Sequence, residues 1–192
     1  MAESRRIGIL GGTFNPVHIG HLILAEGAKE LLGLDKVIFV PTFIPPHKRT
    51  SGVVCARDRY HMLSLAIKSN PSFEVSDIEI KRRGISYSVE TVQQLKSKLG
   101  KVDLYFIVGS DFIAEFSTWK DTERLRKICK FAIAQRPGYF CKKLPRNMLV
   151  IEVRALDVSS TFIRKRIKAG KSIRYFVPHE VRKYIIKKKM YI

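Results

Sequence analysis

Short, almost unbroken apolar runs alternate along this chain with stretches whose apolar residues recur at helical spacing. That alternation restricts the fold more than any other feature. "RIGIL" (6–10) and "DLYFIV" (103–108) are too short for core helices and read as buried strands, and "KVIFV" (36–40), "FAIAQ" (131–135) and "MLVIEV" (148–153) read as further strands. "FEVSDIEI" (73–80) reads as a further strand. Between them, Leu24, Ala28, Leu31 and Leu32 lie at helical spacing from Ile19 to Leu32, with Gly33 as the stop. Met62, Leu65 and Ala66 share one face of a helix from Arg57 to Ser69. Ser88 caps a helix carrying Val92, Leu95 and Leu99 and closed by Gly100. Two more helices finish the chain, one after Val158 and one opening at Pro178. The expected fold is α/β: a Rossmann-like, doubly wound, mainly parallel sheet with helices on both faces. In such sheets ligands bind beyond the carboxyl ends of the strands.

At 192 residues the chain reads as one domain over 1–192, with its last two helices (about 159–192) as a C-terminal helical portion. The segment "RPGYFCKKLPRN" (136–147) reads as a surface connection. No apolar run approaches the roughly 20 residues of a membrane span, and the start does not resemble a signal peptide. Cys55, Cys129 and Cys141 are an odd number with no CxxC spacing, so reduced thiols and a cytoplasmic location are expected. The net charge is +19, and from Arg164 to Ile192 there are eleven Lys or Arg against one acid, Glu180. Such a field draws anions, but it equally describes a solvated basic surface.

Each apolar run is followed at once by residues suited to chemistry: "GGTFNPVHIGH" after the first, "PTFIPPHK" after the second, "GSD" after 104–108. Gly11 and Gly12 allow a backbone to approach a bulky anion. A helix beginning near Val17 or His18 presents first-turn N–H groups carrying about half a positive charge. His18 and His21, three apart, share one face of that helix and can point at one phosphate. Zinc is excluded by the absence of HExxH, of a cysteine pair and of a third ligand at useful spacing.

Residues 18–21 spell the HIGH signature of class I aminoacyl-tRNA synthetases, and "GGTFNPVHIGH" resembles the G-x-F-x-P-x-H-x-G-H signature of nucleotidylyltransferases. Nearly end to end, the chain resembles the bacterial nicotinate-mononucleotide adenylyltransferases. "PTFIPPHK", "RRGISYSVETVQQL", "YFIVGSDFIAEFSTW", "VSSTFIRKRI" and "FVPHEVRKYI" are similar to that family's elements in the same order. Ser88 stands where threonine is usual, and Val92 where leucine is usual. The resemblance implies transfer of the adenylyl group of ATP to nicotinate mononucleotide, giving the deamido dinucleotide and pyrophosphate by in-line attack, without a covalent enzyme intermediate. It implies ATP binding by Gly11, Gly12, Thr13, Phe14, Gly109, Asp111, Ser159, Ser160, Phe162 and Ile163. It implies binding of the mononucleotide by Thr13, Ser86, Tyr87, Ser88, Trp119 and Arg136, the ring stacking on Trp119. Asp111 is equally suited to cap the helix that follows it.

That chemistry brings two polyanions together, so positioning and charge neutralisation are its main demands. His18 and His21 suit the α-phosphate, Lys48 the β- and γ-phosphates, and Arg164 a bidentate phosphate clamp. Ser159 or Ser160 would cap the helix that carries Arg164. Mg²⁺ is expected on the ATP phosphates with mostly water ligands, since no carboxylate cluster would cage it. The chain is short for a synthetase and has no K-M-S-K-S loop. Phosphopantetheine adenylyltransferase shares the T-F-x-P-x-x-x-G-H core but not "PPHK", "ISYS" or the Trp119 context. No RNA-reading motif supports nucleic-acid binding as the main function, and no membrane association is expected.

Overall fold

The central strands form where the backbone must hide polar groups among apolar side chains on both faces, which a ladder of hydrogen bonds achieves. The computed structural model describes residues 4–45, 52–110, 116–135, 147–153 and 156–192. Among them six strands make one sheet: β1 (Arg5–Gly12), β2 (Lys36–Pro41), β3 (Phe73–Val75), β4 (Val102–Gly109), β5 (Lys130–Ala134) and β6 (Met148–Ile151). Their order is β3-β2-β1-β4-β5-β6 and every pairing is parallel. Ile9 lies opposite Ile38 on one side and Phe106 on the other. This is the doubly wound order, with its reversal between β1 and β4.

Alternation along the strands sorts the core into two layers. Leu10, Phe39, Ile107 and Ala132 face α1 (Ile19–Leu32), α2 (Ala56–Ile67), α6 (Ser160–Lys168) and α7 (His179–Lys187). Ile9, Ile38, Phe106 and Phe131 face the other way, onto α4 (Ser88–Leu99) and α5 (Thr122–Ile128). The expectation of helices on both faces of a parallel sheet is met.

Local corrections have physical causes. The strand expected over 73–80 stops at Val75, where β3 pairs only with β2, and Ile78–Arg82 forms a short helix, α3. Ser76 starts that change: its N–H still donates to Phe39 O, while its hydroxyl accepts from Ile78 N at 3.4 Å. In α1 the buried residues are Ala25 and Ala28, and Leu31 is 56% exposed. In α2 the buried face is Arg59, Met62, Leu63 and Ile67 rather than Met62, Leu65 and Ala66. Ser88 is the first residue of α4 and Tyr87 its cap. The connection expected over 136–147 lies outside the described residues apart from Asn147.

Candidate active site

β1 ends in Gly11 and Gly12, and the chain then turns over the carboxyl end of the sheet before α1 begins at Ile19. A cavity of about 710 Å³ opens there, beside the β1–β4 reversal. Its floor includes Gly11, Gly12 and Gly109. One wall carries Thr13, Phe14, His18 and His21; a second carries Ser86, Tyr87, Ser88 and Trp119; a third carries Ser159, Ser160 and Arg164. Residues drawn from four separate stretches of sequence thus share one space.

The two histidines are stacked, with ring centroids 3.7 Å apart and planes inclined by 29°. His18 is the N-cap of α1, and its backbone N–H donates to His21 Nδ1 at 3.2 Å. A nitrogen that accepts that bond carries no proton, so neutral His21 holds its proton on Nε2. The Phe14 ring meets His21 edge-on, centroids 4.9 Å apart. Gly20 gives the histidine pair room: a Cβ there would lie 3.1 Å from His18 Nδ1 and 3.2 Å from Cε1, so the His18 ring would have to shift by a few tenths of an ångström.

The backbone of this turn is less available to an anion than the sequence implied. Ile19 N donates to Phe176 O at 3.0 Å and His21 N to His18 O at 3.0 Å, while His18 N serves His21. Three N–H groups at the helix start are therefore engaged within the protein. The imidazoles, more than the amides, are what this turn offers to a phosphate.

The third wall is tied to the first. Ser159 caps α6, its hydroxyl accepting from Phe162 N at 3.1 Å. Ser160 Oγ donates to Pro16 O at 2.8 Å, so this hydroxyl holds the turn in place. Arg164 donates from Nη1 to Asn15 O at 2.8 Å and from Nη2 to Thr161 Oγ1 at 3.1 Å. A free bidentate clamp does not describe it: the guanidinium is anchored to the loop, and the residue lines the cavity from there. Ile163 is fully buried in the core, and the Phe162 ring packs against Phe176, centroids 5.2 Å apart; neither side chain lines the cavity. Lys48, Asp111 and Arg136 lie outside the described residues.

In the second wall Trp119 stands perpendicular on Phe106, centroids 5.9 Å apart. Lys120 Nζ sits 4.1 Å from the Tyr87 ring centroid and bonds Glu90 at 2.9 Å. Ser86 is buried, its Oγ accepting from Phe43 N at 2.9 Å and its N–H donating to Ile44 O. That fixes "ISYS" against the loop after β2. Behind it lies Glu79, 5% exposed, which receives the Thr91 hydroxyl at 2.5 Å. Burial raises its pKa above the ordinary carboxylate value, against the opposing hydrogen bonds of Ser86 and Thr91 and the charges of Arg82 and Arg59.

Arg59 is the largest residue missed from the sequence. It is 1% exposed and donates to Thr13 O at 2.8 Å, Val54 O at 3.0 Å and Phe43 O at 3.2 Å. One guanidinium thereby joins the turn after β1, the loop after β2 and the approach to α2. The available signal was an arginine three and four residues before Met62 and Leu63, in register with the apolar face.

The cytidylyltransferase-like family model matches residues 9–166. A probable nicotinate-nucleotide adenylyltransferase of Desulfitobacterium hafniense (strain Y51) is 45% identical over 99% of this chain and 97% of its own length. One from Moorella thermoacetica (strain ATCC 39073 / JCM 9320) is 46% identical over 97% and 91%. This chain belongs to the nicotinate-nucleotide adenylyltransferase family. The fold agrees: the Plasmodium falciparum nicotinic acid mononucleotide adenylyltransferase complexed with NaAD superposes with a TM-score of 0.81 over 97% of both chains, at 20% identity. Family membership extends across the cavity, since all three walls fall within the matched span.

Proposed function

We propose that this protein transfers the adenylyl group of ATP to nicotinate mononucleotide, giving nicotinate adenine dinucleotide and pyrophosphate. The observation that carries the reading is one cavity with a stacked imidazole pair on one wall and an aromatic, hydroxyl-bearing slot on another. It lies in a chain matched end to end by relatives bearing that activity's name.

An oxygen of the mononucleotide's phosphate attacks the α-phosphorus of ATP; a P–O bond forms, the bond to the β-phosphate's bridging oxygen breaks, and its electron pair leaves with pyrophosphate. No covalent enzyme intermediate is needed. His21 contributes an Nε2–H donor whose direction is set by the His18 N–H on its other nitrogen. The donor meets charge as it builds on the α-phosphate oxygens. His18 shares that role, and Arg164 adds the donors not used on Asn15 and Thr161. Lys48 is assigned to the β- and γ-phosphates by its place in the motif. Tyr87 and Trp119 form the slot for the pyridine ring, with Ser86 fixing its backbone.

Mg²⁺ suits this donor set only as a companion of ATP. Among the described residues no group of three or more His, Cys, Asp or Glu is placed to hold a metal. The ion would supply charge neutralisation along the phosphates, kept mainly by water and phosphate oxygens. No helix among the described residues is long and apolar enough to cross a membrane; the cytoplasm is assigned on a separate ground, the three cysteines without CxxC spacing.

The test is purified protein with ATP, Mg²⁺ and either nicotinate or nicotinamide mononucleotide, following pyrophosphate release. The acid is expected to be strongly preferred. Equal kcat/KM for the two would overturn that preference, and no pyrophosphate from either would overturn the function.

A further inference from the structure

We propose that Tyr191 is a positioning residue for the phosphate-binding turn, holding it through Asn15, 176 positions earlier in the chain. The assignment rests on the adenylyl-transfer reading above, because its main readout is turnover.

Asn15 is 4% exposed and sits between Phe14, whose ring edges His21, and Pro16, whose carbonyl receives Ser160. Every polar group of its side chain is engaged. Oδ1 accepts the Tyr191 hydroxyl at 2.8 Å and Val54 N at 3.2 Å; Nδ2 donates to Gly52 O at 3.0 Å. Its backbone oxygen accepts from Arg164 at 2.8 Å. The amide orientation follows from these partners, since the oxygen faces two donors and the nitrogen faces a carbonyl. Asn15 is thus where the loop before α2, the helix carrying Arg164 and the segment after α7 converge on the turn that carries the histidines.

The path by which Tyr191 arrives is specific. After α7 the chain passes through two L-residues in the left-handed region, Lys189 at φ 49° and Tyr191 at φ 64°. Such conformations persist where surrounding contacts hold them. Here Met190 enters the core at 7% exposure, its N–H donating to Ile185 O, and the Tyr191 hydroxyl finds Asn15. Burial, its foremost cause, raises the phenol's pKa far above its ordinary value, so the group remains a donor throughout the working pH range.

A hydroxyl that only filled space would be dispensable when the ring is kept. One that fixes Asn15 sets where Phe14, and through it His21, stands relative to the α-phosphate. Small displacements of that kind act on turnover: misplacement by about 1 Å costs on the order of 10²-fold.

The experiment compares Tyr191→Phe and Tyr191→Leu with the unaltered protein by steady-state kinetics on ATP and nicotinate mononucleotide, together with thermal unfolding. Tyr191→Phe is expected to lower kcat by about 10-fold, a fraction of the 1 Å effect, with both KM values and the unfolding midpoint little changed. Adding Tyr191→Phe to Asn15→Ser, once thermal unfolding has shown that Asn15→Ser folds, is expected to cost no further turnover, because the partner is already lost. Normal kcat in Tyr191→Phe with a defect only in Tyr191→Leu would assign a packing role and overturn the proposal. So would a fall in kcat that tracks the unfolding midpoint, or full additivity with Asn15→Ser. Absence of turnover in the unaltered protein would instead strike the functional reading, and with it the role of Tyr191 in turnover.

Discussion

His21 shows how much one side chain's work depends on its neighbours. Its Nδ1 accepts the His18 N–H, and its ring packs against those of Phe14 and His18, so its orientation is set by three local contacts. His21→Ala removes a donor aimed at the transition state and is expected to lower kcat by on the order of 10²–10³-fold, the usual loss for such a group. KM for ATP should change much less. Steady-state kinetics decide it: near-normal kcat with a raised KM would reduce His21 to a binding residue. The histidine pair was legible because both members lie within four residues, although His18 caps α1 from an extended backbone rather than sharing its face. Arg59, Asn15 and Tyr191 were not, because their partners are loop carbonyls and amides that only the folded chain brings near. Of the amides expected to face an anion at the start of α1, Ile19 N is taken by the Phe176 carbonyl, which arrives from far along the chain.

At the level of elements, the C-terminal helices are fastened to the site by polar contacts as well as by core packing. The Tyr184 hydroxyl on α7 donates to Asp58 Oδ1 on α2 at 2.7 Å. The Cys55 thiol, bonded to the same carboxylate, is the foremost cause of Asp58's lowered pKa; Tyr184 adds to it and burial opposes. Burial, then the bond to Asp58, pushes Tyr184 up to about 12. A depressed carboxylate stabilises the fold above its unfolded value near 3.8 and loses that contribution as pH falls through its folded value. A raised phenol stabilises below its unfolded value of 10 and loses that contribution as pH rises toward about 12. Tyr184→Phe is therefore expected to lower the unfolding midpoint most between those limits, with the gap narrowing on both sides. A gap independent of pH would mean that the bond carries no such linkage. The same scale shows where reading from sequence ended. Strands buried on both faces announced themselves by continuous apolar runs, while β3, an edge strand of three residues, did not. There the alternation of Phe73 and Val75 breaks phase at Ser76–Asp77, whose turn chemistry ends the strand before Ile78.

For the molecule as a whole, the chain carries a net charge of +19, and its cavity must gather two phosphate-bearing substrates. Long-range attraction of that kind is screened as the Debye length falls from about 10 Å at 0.1 M salt to about 3 Å at 1 M. KM for ATP is expected to rise several-fold over that range, with kcat less affected. Replacing the exposed Lys187, Lys188 and Lys189 by glutamine should flatten the dependence, and an unchanged slope would leave those lysines with solvation alone. The overall architecture was the most legible level, because the strand–helix alternation admits few parallel arrangements.

Arg59 has a consequence for transplanting this activity. It holds the carbonyls of Thr13, Phe43 and Val54 with one rigid, planar group that lysine cannot imitate. The segment PVHIGH can be grafted onto another parallel sheet as a string of letters. Its two imidazoles would keep their aim only if the recipient also supplied a keystone from a neighbouring helix, so loops around this site must be exchanged as a set.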